Sequence, residues 1–252
     1  MPEYSPVLSI LTATFELALA GYCLRAPGRR EIQRLVALIL VLLAGYQIIE
    51  VLVCGDPDEP LWARAAFADV VWLPPLGALL LLRLARDPSR PARRVWRHLV
   101  VLSLAIAAFF TVWVFADPRF VTGSVCKAVI ALYLHPTNAL EVYGAYYHVG
   151  LWVMMFGGIR LALVARDPID RAHAADVAMG TVAFVVLALT TEVVFPGARN
   201  ATPSIMCHYA LALALFFLRL TRREARYGAH RSRFTLAPDA RHPGDNPLSE
   251  GR

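Results

Sequence analysis

Apolar residues fall in seven long blocks along this chain, and charged residues collect in the joints between them. The blocks cover about 5–24, 35–54, 65–82, 99–116, 143–165, 174–195 and 203–220. At about 1.5 Å per residue each is long enough to cross a hydrocarbon core of about 30 Å. The pattern therefore predicts an all-α integral membrane protein, a bundle of seven transmembrane helices over 1–220. A further apolar run, 125–134, is too short to cross and is expected to lie at the interface or dip in as a re-entrant segment. Pro74-Pro75 interrupts the third block near its middle and predicts a kink or local unwinding there. Residues 221–252 are polar and basic, with Pro238, Pro243, Gly244 and Pro247, and are expected to form a disordered cytoplasmic tail whose Arg-rich start rests on the membrane surface.

Composition agrees with that class: of 252 residues 58% are hydrophobic, and the mean hydropathy is +0.52. The net charge of +6 would suggest nucleic acid if it formed a patch on a soluble fold. It does not, because the basic residues sit between spans, so nucleic acid is not an expected partner. Of the 25 Lys and Arg residues, 21 fall in the first, third and fifth connections and in the tail from Arg219 onward. Arg64, Arg119, Lys127 and Arg199 make up the other side. Loop charge therefore predicts an outside N-terminus and a cytoplasmic C-terminus in a multi-pass cell-membrane protein. Residues 1–15 lack the basic region of a signal peptide, so the first block is expected to be retained as a helix.

Intramembrane polar residues carry the candidate chemistry, because each is costly in hydrocarbon and must find a partner. With that orientation Glu50, Asp69, His148, Glu192, Cys207 and His208 share one outer-leaflet layer, and Glu16 lies deeper in the first span. Gln47 shares a helix face with Glu50, as Ser204 and Cys207 do with His208. The cytoplasmic halves read as almost purely apolar, apart from Asp176 and a snorkelling Arg160. Glu50, His148, Glu192 and His208 are the expected catalytic shell, with Gln47, Asp69, Cys207, Glu16 and His135 in support. The same four can be written as a metal-ligand set for Zn, Fe or Mn, or without metal as a proton relay or general acid/base pair. They supply single ligands from separate helices rather than a paired motif on one helix. His135-Pro136 is read as a lid over the site or as a turn with a surface histidine, the turn being favoured. Cys54 and Cys126 fall on the same outer side, where a disulfide can tie that connection to the second span. Trp72 and Trp152 are deep enough to line a cavity, the other aromatics reading as an interfacial belt.

Gly45-Tyr46-Gln47-Ile48-Ile49-Glu50 resembles the Q-x-x-E element of a group of uncharacterised bacterial seven-span proteins, and Ser204–Ala210 is similar to the S-x-x-C-x-x-A element of their last span. The chain departs from that group at Met1-Pro2-Glu3-Tyr4, where its members commonly carry an early Cys. The resemblance implies that Gln47, Glu50 and Cys207 share a site and implies no reaction. The last span has no retinal-binding Lys, which argues against a rhodopsin. The expected function is a membrane enzyme acting on a lipid or small amphiphilic metabolite. The alternative is a non-catalytic membrane protein: a small-solute or proton-coupled transporter, or a sensor.

Overall fold

The computed structural model describes residues 4–85, 90–135, 138–195 and 201–235, without the side chains of 90–92, 192 and 229–235. Eight helices and one hairpin follow in the order α1 (Val7–Arg25), α2 (Arg30–Gly55), α3 (Pro60–Val70), α4 (Leu73–Leu84), α5 (Arg90–Ala116), β1 (Gly123–Lys127), β2 (Ile130–Leu134), α6 (Ala139–Val164), α7 (Pro168–Val194) and α8 (Thr202–Thr235). With α3 and α4 taken as one broken span, seven helical segments are long and apolar enough to cross a membrane. The helices outrun the apolar blocks, as hydrophobicity reports the membrane's thickness rather than the helix's length.

The third span breaks at Val71-Trp72, directly before Pro74-Pro75. Proline fits in the first turn of α4, where no N–H is required. Its cost falls on the preceding carbonyls, which lose their partners inside the membrane. One tyrosine of α6 repairs this at Val71, whose carbonyl accepts from the Tyr146 hydroxyl at 3.1 Å. A turn earlier the Phe67 carbonyl, which keeps its bond from the Val71 amide at 3.2 Å, also accepts from the Tyr143 hydroxyl at 2.7 Å. Gly150 lets α6 pass close to the break, since a Cβ there would run into Pro74. The expected kink is therefore a clean helix break, and it ties the third span to the fifth.

The run 125–134 is extended rather than helical. It forms an antiparallel hairpin in which Gly123 faces Leu134 and Lys127 faces Ile130. Alternation decides its placement, with Ala131 and Tyr133 turned into the bundle and fully buried. The hairpin is held on four sides. Cys126 is disulfide-bonded to Cys54 of α2, and the Ser124 amide donates to the Pro57 carbonyl at 3.1 Å. The Ala131 amide donates to the Ser204 hydroxyl of α8 at 3.2 Å, and the Tyr133 hydroxyl meets that of Tyr46 at 2.8 Å.

Two further expectations are corrected at the opposite end. The stretch after 220 is not a disordered tail from its start: α8 continues as helix to Thr235, and Glu224 is fully buried. Residues 236–252 lie outside the described part. Nor is that end of the bundle apolar. Arg29, in the α1–α2 turn, sends Nε and Nη2 to the two carboxylate oxygens of Glu224 at 2.9 Å each. Its Nη1 binds Asp170 of α7 at 2.7 Å, and Nη2 also reaches His173 Nδ1 at 2.9 Å. A guanidinium only donates, so His173 accepts through Nδ1 and is the neutral ring protonated at Nε2. Burial works against the charge on Arg29, but Glu224 and Asp170 outweigh it and raise the pKa of the guanidinium further. Gly28, at φ +133°, makes the contact sterically possible, because a Cβ there would sit 2.7 Å from Glu224 Cγ. Beside this group, Arg223 and Arg219 of α8 both bind Asp176 of α7.

Candidate functional site

At the hairpin end the bundle holds a polar core beside an open cavity. The core begins with Glu50, which is fully buried in α2 and faces inward. Its Oε1 accepts from Tyr4 and Ser9 at 3.4 Å each, and Ser204 of α8 also hydrogen-bonds it. Tyr4 lies just ahead of α1, and burial pushes its phenol up to about 12, so it remains a donor to the carboxylate. Burial likewise holds the Tyr133 phenol well above its usual range, keeping the Tyr46–Tyr133 pair neutral. Glu16 and Gln47 are fully buried, and among the described residues neither carboxyl oxygen of Glu16 nor either amide atom of Gln47 has a hydrogen-bond partner. Asp69, at the end of α3, packs on α2 where Gly45 leaves room; a Cβ on Gly45 would lie 3.1 Å from its Oδ1. Glu50 of α2, Glu16 of α1 and Asp69 of α3 lie within electrostatic range of Cys207 of α8. Buried polar groups in this number are costly in a membrane bundle, which makes the layer a candidate site.

The cavity, of about 280 Å³, opens beside this core between α3, α6 and the start of α8. Phe67, Val70, Tyr143, Tyr147 and Met206 give it an apolar and aromatic wall. His135, which follows the hairpin, and His148, Glu141 and Thr202 supply polar groups, and Cys207 lines it while also facing the polar core. The α6 contribution follows from helical spacing: Glu141, Gly144 and His148 fall on one face. His148 Nδ1 is 2.7 Å from the Gly144 carbonyl. A carbonyl only accepts, so Nδ1 carries a proton and Nε2 is the nitrogen through which the ring can exchange one.

The expected site is thus assembled in part. Glu50, Gln47, Asp69, Glu16 and Cys207 share the buried core, and His135, His148 and Cys207 share the cavity. The described members of the expected ligand set, Glu50, His148 and His208, do not form a metal-holding group. His148 stands on the cavity wall, whereas Glu50 is turned toward Tyr4 and Ser9, and His208 is half-buried with Nδ1 on the Ser204 carbonyl at 2.9 Å. The Glu192 side chain lies outside the described residues. Among the described residues no three His, Cys, Asp or Glu side chains are grouped to hold a metal ion. Independent single ligands at equal depth had no reason to share an azimuth, and these do not.

Glu141 and Thr202 were not among the expected residues. Glu141 is legible as the i−7 neighbour of His148 on the same helix face, whereas Thr202 enters only because α8 begins at the cavity. In comparison with known proteins, the chain matches no family model and no curated protein.

Proposed function

We propose that this protein is a membrane-embedded enzyme that takes a lipid or small amphiphile into the cavity between α3, α6 and α8, with His148 as general base on its polar head. The carrying observation is the make-up of that cavity, where two histidines and a carboxylate stand on an otherwise aromatic and aliphatic wall. Such a wall suits a ligand that is mostly apolar with one reactive polar end. The Nδ1–H tautomer of His148 leaves an acceptor for a proton from a ligand hydroxyl or from water attacking an ester. His135 and Glu141 orient the head, and Cys207 links the cavity to the buried carboxylates behind it.

The cavity faces the non-cytoplasmic side in this reading. The Cys54–Cys126 disulfide belongs to that end and suits an oxidising compartment, while the Arg-rich connections lie at the other end. An enzyme is favoured over a transporter because the opposite end is bound together by Arg29, Asp170 and Glu224.

Gly144 provides the test. It lines the cavity, and an added Cβ would meet nothing within 4 Å. Gly144→Leu should fold normally and fill the space. Native mass spectrometry of the purified protein should show a bound amphiphile on the wild type that is lost from Gly144→Leu. Equal loading of the two proteins would contradict the proposal.

A further inference from the structure

Beside the cavity lies a second, narrower space of about 70 Å³ between α6 and α7, and the two share His148 and Met206 in their walls. Among the described residues His148 is the one ionisable side chain in its lining; beside the shared Met206, Leu151, Trp152, Met155, Val185, Ala188 and Leu189 form the rest. From His148 to Met155 it follows α6 for two turns, about 10 Å. The sequence explains why the helices part there. Toward their short connection α6 and α7 are pressed together by small residues, with a Cβ on Gly158 lying only 3.0 Å from that of Ala178. Toward the cavity the facing positions become Trp152, Met155, Val185 and Leu189, which hold the helices apart. Trp152 and Leu189 are half exposed on the lipid side, so the groove has an edge on the bilayer.

Resting on the function proposed above, we propose that this groove is the tail site of a single-chain amphiphile. One straight hydrocarbon chain would lie between α6 and α7 while its hydroxyl-bearing head occupies the cavity beside His148. The shared His148 and Met206 set the two spaces side by side, so that head and tail of one molecule would meet at His148, and the lipid-side edge gives a membrane-dissolved molecule its way in. The narrow bore restricts the occupant to one chain.

A monoacylglycerol carrying a diazirine in mid-chain, with the full-length protein in nanodiscs, tests this. Photolabelling should concentrate on 151–155 and 185–189 and should be competed by excess monolaurin. Labelling of the lipid-facing α5 residues Phe109 and Val112 should not be competed, which provides the background within each sample. Ala188→Phe fills the groove, and Leu189→Trp narrows it from the lipid side without disturbing a buried position. Each should lower the competable label at least about tenfold, within the cost of overpacking. Gly144→Leu should lower it too, by blocking the head. Competable label that persists in both groove variants, or falls elsewhere, overturns the tail site while leaving the cavity. Absence of competable label from the wild type, or its survival in Gly144→Leu, overturns the cavity reading instead.

Discussion

Replacing Arg29 with Ala should destabilise the protein by about 3–5 kcal/mol, the effect of breaking a buried ion pair by removing one partner. The substitution removes the guanidinium that binds Glu224 and Asp170, whose side chains are 0% and 3% exposed. It also removes the donor to His173 Nδ1 and a side chain that ties the α1–α2 turn to both α7 and α8. A Lys at 29 should rescue only in part, because one ammonium cannot reproduce the paired contacts of a guanidinium fork. Thermal unfolding in a single detergent would measure this. An Arg29→Ala protein as stable as the wild type would show that the cluster does not hold that end of the bundle.

Loss of the disulfide should have the next largest effect. Cys54 and Cys126 are 72 residues apart, and a free chain closed over that length would gain about 4 kcal/mol. The intervening spans already restrict the loop, so Cys126→Ser should cost less, about 2 kcal/mol. Its sharper consequence is local. The hairpin leads directly into His135 on the cavity wall, so releasing Cys126 should loosen that wall and weaken amphiphile binding. Lys127 is exposed beside the disulfide and offers trypsin a cut in the hairpin. Cleavage there should accelerate in Cys126→Ser, and in the wild type after reduction. Unchanged cleavage would mean that Pro57, Ser204 and Tyr46 hold the hairpin without the disulfide.

The helices were legible because hydrophobic length is a direct consequence of membrane thickness, and Pro74-Pro75 marked the one broken span. The hairpin was not. Its turn, Lys127-Ala128-Val129-Ile130, has no Gly or Asn, although Ala128 adopts φ 45°. A ten-residue apolar run without a turn signal reads equally as a short helix. The depth of Glu50, Gln47, Asp69 and Cys207 could be read from their spans, and their convergence is real. Depth says nothing of azimuth, and for that reason the expected meeting of Glu50, His148 and His208 fails. The Arg29–Glu224 cluster was hidden by the opposite error. Glu224 follows Arg222 and Arg223 in a stretch that reads as a solvated basic tail, and only the continuation of α8 turns it inward.

The central claim is that His148 acts as a base on an amphiphile held in the cavity. Purified protein reconstituted with a bacterial total lipid extract, followed by mass spectrometry of the lipids over time, tests it most directly. The wild type should deplete at least one amphiphile and form a matching product. His148→Gln, which keeps a polar side chain but cannot take up the proton, should slow that conversion by about 10²–10⁴-fold, the usual contribution of a general base, while still binding the amphiphile. Conversion at the wild-type rate by His148→Gln, or no conversion by the wild type, would contradict the account.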